Sequence, residues 1–171
     1  EEFEVAARLD DKENPSDKVS THGYQEMYGT FLLPLLHHRN RRIRATRQDN
    51  KPFKMLEIGL GCDMKYGPGK SMAIWKRLLD PSDIMWAAEV DTKCVTKHKN
   101  DLRWLQGIVT GDQADKTILN QWINDTKATT VPFDVIIDDG GHENHQIYTS
   151  FMELFPKALG PGGLYFIEDL H

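Results

Sequence analysis

Two short stretches concentrate side chains able to hold a cation or move a proton: Asp138-Asp139-Gly140-Gly141-His142 and Glu168-Asp169. Each follows an apolar run, Val135-Ile136-Ile137 in one case and Leu164-Tyr165-Phe166-Ile167 in the other. Carboxylates gathered at one place repel one another and retain their protons unless a cation neutralises them. Hard oxygen donors of this kind favour magnesium, manganese or calcium over zinc. His142 is open to ligation as well. An imidazole exchanges its proton near neutral pH, so removal of a proton from a substrate hydroxyl is the role favoured for it.

A second constellation suits a nucleotide-like cofactor. Glu57-Ile58-Gly59-Leu60-Gly61 closes an apolar strand with a glycine turn, which lets backbone approach a ligand. A dinucleotide fingerprint needs a third glycine after a two-residue step, and here Cys62 to Ser71 (CDMKYGPGKS) follow instead. Glu89 and Asp91 end the next strand. Glu89 is the first choice to accept hydrogen bonds from both ribose hydroxyls, while Asp91 or Thr92 suits a helix cap. After the third strand, Asp112 is placed to accept from an adenine amino group, with the backbone beside Gln113 reading the ring edge; Asp115 suits a cap.

These residues need elements that deliver them to one edge. Apolar strand candidates alternate with amphipathic helix candidates from FKMLEIG to GLYFIED, a βαβ rhythm. Right-handed crossovers then wind the units into an α/β, Rossmann-like, doubly wound and mainly parallel sheet, expected to end after the fifth strand with the C-terminal strands missing. Parallel neighbours bring both acidic stretches to the carboxyl edge. Residues 1–20 are polar and read as an arm outside the core; residues 21–171 form the core. Within it, a helix from Gly23 to about Leu36 carries Tyr24, Met27, Tyr28, Phe31, Leu32 and Leu35 near one face, and Pro34 is expected to kink or end it. Tyr24 and Tyr28 read as plain core more readily than as part of an acceptor pocket.

Composition narrows the partners. With 171 residues, 39% hydrophobic and a net charge of −5, the chain suits one globular domain and disfavours a nucleic-acid surface. The basic run of His37, His38, Arg39, Arg41, Arg42, Arg44 and Arg47 reads as a solvated helix end. No run reaches the roughly 20 apolar residues that span a bilayer. Cys62 and Cys94 have no ligand at metal spacing and are open to pairing or to remaining reduced. The start at Glu1 suggests processing or trimming, and Asn124-Asp125-Thr126 is a glycosylation acceptor if the chain enters a secretory compartment, so cytoplasm and secretory lumen both stay open. Homo-oligomerisation stays open too.

From Asp17-Lys18-Val19 and His22-Gly23-Tyr24 through LEIGLG, SMAIWKRLL, GDQAD, DVIIDDGGH and FPKALGPGGLYFIED, the chain resembles the macrocin- and mycinamicin-type sugar O-methyltransferases. The resemblance implies a class I methyltransferase acting with S-adenosylmethionine and magnesium on a hydroxyl of a sugar, natural product or other small molecule. It implies that Glu57, Gly59, Gly61, Glu89 and Asp112 surround the cofactor, that Asp139, Glu168 and Asp169 bind magnesium, and that His142 is the general base. Two readings stand beside it: a nucleotide-cofactor oxidoreductase on a similar sheet, and a non-catalytic cofactor-binding domain.

Overall fold

The computed structural model describes residues 2–9, 16–37, 51–65 and 67–170. The chain forms two compact units, residues 53–68 with 84–171, and residues 1–52 with 69–83.

The larger unit is built on five strands: β1 (Lys54–Ile58), β2 (Ile84–Glu89), β3 (Gly107–Thr110), β4 (Phe133–Asp138) and β5 (Leu159–Ile167). Their order is β3-β2-β1-β4-β5, and every neighbouring pair is parallel. The expected Rossmann-like sheet is therefore present. Strand order reverses between β1 and β4, which opens a crevice at their carboxyl ends. β1 is buried at every position, as a central parallel strand of near-continuous apolar character requires.

Three helices belong to this unit: α5 (Thr92–His98), α6 (Lys116–Asp125) and α7 (Asn144–Ala158). Asp91 caps α5 by accepting from the amides of Lys93 and Cys94, and Asp115 caps α6 through Thr117 and Ile118. Glu143 and Gln146 cap α7 reciprocally. Each cap lies just beyond the carboxyl end of a strand, so the loops that could line a site are fixed where they enter a helix. Leu119, Trp122 and Ile123 of α6 and Leu154 and Ala158 of α7 share one core with Leu56, Ile58, Phe133 and Ile136. Fully burying a side chain of this size contributes about 1.5–3 kcal/mol.

The amino edge of the sheet is closed by a buried cation. Lys54, 2% exposed, begins β1. Its Nζ donates to the carbonyls of Thr126 and Val131, each at 2.6 Å, and lies 4.4 Å from the centroid of the Phe133 ring. The end of α6 and the start of β4 are thereby held to β1.

The smaller unit contains α1 (Glu2–Arg8), α2 (Asp17–Ser20), α3 (Gln25–Met27) and α4 (Lys70–Leu78). Residues 2–8 do not behave as a polar arm: Phe3 is fully buried and meets Tyr28 and Trp75 at ring centroid distances of 4.8 and 5.6 Å. A lone phenylalanine between glutamates shows no periodicity, yet it fills an aromatic core. Tyr28 also stands edge-on to Trp75 at 5.2 Å, which is the core reading made for it.

Pro34 does not end its helix. A π-helical turn over Tyr28–Leu32 precedes it, with the Leu33 amide donating to Tyr28, and residues 33–37 stay helical. The wider turn shifts the inward face, so Tyr28, Leu32, Leu33 and Leu36 are buried while Phe31 is 57% exposed. His37 Nε2 lies 3.0 Å from Glu2 Oε2. The rest of the basic run, from His38 to Arg47, lies outside the described residues.

Lys54→Met keeps the side-chain length and removes the donor, leaving two carbonyls without it at the amino edge. A loss of about 1–3 kcal/mol per orphaned group is expected in guanidinium unfolding; an unchanged midpoint would dismiss the closing role.

Candidate functional site

The strand ladder runs one residue past the strands at the carboxyl edge. The Gly59 amide donates to the Ala88 carbonyl at 2.8 Å, Asp139 to Ile58 at 3.0 Å and Glu168 to Asp138 at 2.9 Å. Gly59, Asp139 and Glu168 therefore stand side by side. Gly59 has φ +95°, and a Cβ there would sit 2.0 Å from the Asp139 carbonyl oxygen. Only glycine lets the turn after β1 rest on the turn after β4.

Glu89 ends β2 with 7% exposure. Its Oε2 accepts from the Leu60 amide at 3.0 Å and its Oε1 from the Asp91 amide at 2.9 Å. These bonds hold the carboxylate against the glycine turn, and each oxygen retains lone-pair capacity for a further donor such as a ribose hydroxyl. Glu57 is fully buried within β1, and Gly61 has φ +70° in the turn. Asp112 Oδ1 accepts from the Ala114 amide at 2.8 Å in an exposed loop.

Asp139, His142 and Asp169 come together, each offering one ligand atom within 4.8 Å of the others. His142 Nε2 lies 3.7 Å from Asp169 Oδ2, and both side chains reach solvent, at 39% and 19% exposure. Two carboxylates with an imidazole suit a divalent cation with open positions for exogenous oxygens. Asp169 adopts φ +53°, a left-handed backbone rare outside glycine. Glu168, expected as a third carboxylate ligand, is 1% exposed, and its carboxylate is not among the three grouped side chains. His142 stands there instead.

Behind this group lies a buried network. Asp138 Oδ1 accepts from Gln113 Nε2 at 2.9 Å; its Oδ2 accepts from the Ser150 hydroxyl and, at 3.3 Å, from the Tyr165 hydroxyl. Gln113 Oε1 in turn accepts from the Gly141 amide at 2.7 Å. The side chain of Gln113, 5% exposed, thus spends its amide on the loop that carries Asp139 and His142. A Cβ on Gly140 would fall 2.0 Å from that same Oε1, so the loop and the amide fit only because position 140 is bare. Burial pushes the Asp138 carboxyl above its ordinary range, partly offset by the hydrogen bonds from Ser150, Gln113, Gly140 and Tyr165. Burial, and then the nearby Asp138 carboxyl, push the Tyr165 hydroxyl well above its ordinary range.

Ser150 and Tyr165 escaped the sequence reading. A hydroxyl at 150 on the apolar stripe of Ile147 and Leu154 was the available signal. The cysteines, open to either state from sequence, are paired: Cys62 and Cys94 form a disulfide with Cα atoms 6.1 Å apart.

A β3-β2-β1-β4-β5 parallel sheet with an acidic residue ending β2 is a Rossmann-like core, here with a cation-suited group beyond β4 and β5. No family model matches the chain. It is 36% identical over 135 residues to the demethylmacrocin O-methyltransferase of Streptomyces fradiae, covering 78% of this chain and 31% of that protein. To the mycinamicin VI 2''-O-methyltransferase of Micromonospora griseorubida it is 34% identical, covering 90% of this chain and 35% of the relative. The MycE methyltransferase of the mycinamycin biosynthetic pathway, solved with Mg, SAH and mycinamycin VI, superposes at a TM-score of 0.70 with 27% identity, over 96% of this chain and 36% of that one. By sequence and fold the chain is a relative of the macrocin- and mycinamicin-type sugar O-methyltransferases, and it spans about a third of their length. Likeness to a short chain dehydrogenase/reductase from Saccharomyces cerevisiae, at 16% identity and a TM-score of 0.51, concerns the fold alone, and nothing favours the oxidoreductase or non-catalytic readings.

Because the folded protein holds the Asp138 proton more tightly than the unfolded chain, this group's contribution is full at low pH. It is lost as pH rises from the ordinary carboxylate range through the raised folded value. Asn at 138 can still accept from Gln113. In chelator-treated protein, the stability of Asp138→Asn relative to the parent should therefore increase with pH across that window; parallel urea-unfolding profiles would refute it.

Proposed function

We propose that this chain is the cofactor- and cation-holding core of an S-adenosylmethionine-dependent O-methyltransferase acting on a hydroxyl of a sugar or another small molecule. The observation that carries the reading is the meeting of Asp139, His142 and Asp169 at the carboxyl edge, beside the turn where Gly59 rests on Asp139. The O-methyltransferase activities of the relatives and the Mg and SAH in MycE support it.

Glu89, Gly59, Gly61 and Asp112 would hold the cofactor, with Glu57 beneath the turn and the backbone at Gln113 beside the adenine. Bound there, S-adenosylmethionine supplies an activated methyl group. Asp139 and Asp169 would hold magnesium, leaving the His142 imidazole for proton transfer, and the ion would supply Lewis acidity toward a substrate hydroxyl. His142 accepts the hydroxyl proton at Nε2, and Asp169, 3.7 Å away, stabilises the imidazolium that results. Gln113 and Asp138 keep the loop at Gly141 in place while the proton moves. A vicinal diol suits this arrangement because it offers one oxygen for attack and a second for the cation.

The two compartments left open by the sequence are not equally supported. A disulfide persists in oxidising surroundings, and Asn124 of the acceptor tripeptide is exposed at the end of α6, so we infer a secretory-lumenal setting. Among the described residues, no helix is long and apolar enough to cross a membrane.

In the full-length protein, His142→Ala should leave S-adenosylmethionine affinity within about twofold and lower kcat by about 10²–10⁴-fold, the usual contribution of a positioned base. Asp169→Asn should weaken magnesium binding by calorimetry by about tenfold or more, again sparing the cofactor. Failure of the parent protein to bind S-adenosylmethionine would sink the reading.

A further inference from the structure

The mechanism makes no use of the disulfide, yet its two ends lie on either side of Glu89. Cys62 is two residues past Leu60, whose amide donates to Glu89 Oε2 at 3.0 Å. Cys94 lies in the first turn of α5, where its amide donates at 3.0 Å to Asp91 Oδ1. Asp91 in turn donates its own amide to Glu89 Oε1 at 2.9 Å. The Cys62–Cys94 bond, across 32 residues of sequence, closes this chain of contacts into a ring: Leu60, Glu89, Asp91, Cys94, Cys62.

We infer that the Cys62–Cys94 disulfide is a positioning element for the cofactor, holding the glycine turn and the Glu89 carboxylate in the mutual placement that ribose recognition requires. The inference rests on the assignment of Glu89 to the cofactor given under Proposed function. Its physical basis is backbone freedom. Gly59 and Gly61 both have positive φ, at +95° and +70°, so the backbone on either side of Leu60 has a freedom that residues with a Cβ lack. The turn's hydrogen bonds to β2 come from its first two amides, Gly59 to Ala88 and Leu60 to Glu89, whereas the bond from Met64 to Gly61 is internal to the loop. The disulfide ties the far end of the turn, at Cys62, to α5 and so orders the turn before a ligand arrives.

The ring has two further properties. It lies on the β1–β2 side of the sheet, whereas Asp139, His142 and Asp169 follow β4 and β5, so the ring and the cation group share no residue. Both cysteines are half-buried rather than enclosed. Dithiothreitol would supply two electrons and two protons, leaving two protein thiols and its own cyclic disulfide.

The test compares the full-length protein oxidised, reduced with dithiothreitol, and as the Cys62→Ser/Cys94→Ser double variant. S-adenosylmethionine and magnesium are titrated separately by calorimetry into each. Reduction should raise the Kd for S-adenosylmethionine by about tenfold, the scale expected for lost preorganisation, and leave magnesium affinity unchanged. The double variant should match the reduced protein and no longer respond to dithiothreitol. Equal cofactor affinity in the oxidised and reduced protein would overturn the inference. So would a joint loss of cofactor and magnesium binding, which marks a general fold staple. If magnesium binds while no form binds S-adenosylmethionine, the cofactor reading itself is what has failed, and the inference goes with it.

Discussion

Asp138 places a carboxyl inside the sheet's carboxyl edge, where burial disfavours its charge, and the surrounding structure is arranged to share that burden. Ser150 arrives from α7, Tyr165 from β5 and Gln113 from the loop after β3, so one side chain gathers three elements that are remote in sequence. Because Gln113 spends its remaining amide oxygen on Gly141, the same bonds set the path of the loop next to Asp138. Asp139 and His142 take their places from that path. A buried acid that itself lies outside the grouped ligands thus organises the residues around it, consistent with the rule that a satisfied polar network rigidifies its surroundings.

The two edges of the sheet divide the work. At the amino edge a cation, Lys54, closes the end of α6 on β1 through backbone carbonyls. At the carboxyl edge anions predominate, and the glycines at 59 and 140 remove side chains where backbones and amides must meet. Parallel topology enforces this polarity, since every strand delivers its last residue to the same side.

Much of this was readable from the chain. Apolar runs ended by Gly, Asp or Glu located all five strands, and residue type narrowed the caps to Asp91 or Thr92 and to Asp115, of which Asp91 and Asp115 do the capping. Other features depend on tertiary proximity. Nothing local pairs Cys62 with Cys94, and nothing local makes Phe3 a core residue. Glu168 and Asp169 look equivalent as a dipeptide, but the chain turns to left-handed backbone at 169 and only Asp169 joins Asp139 and His142. The inward role of Gln113 was hidden because its partners, Asp138 and Gly141, lie 25 and 28 residues away.

The left-handed backbone at Asp169 sets a conflict between robustness and chemistry. A residue with a Cβ in that conformation costs about 1–2 kcal/mol that glycine would avoid. Any procedure that ranks substitutions by folding free energy alone will therefore favour glycine at 169 and, in doing so, delete one of the two carboxylates grouped with His142. Selection for a hardier protein and selection for a working one pull in opposite directions at this position.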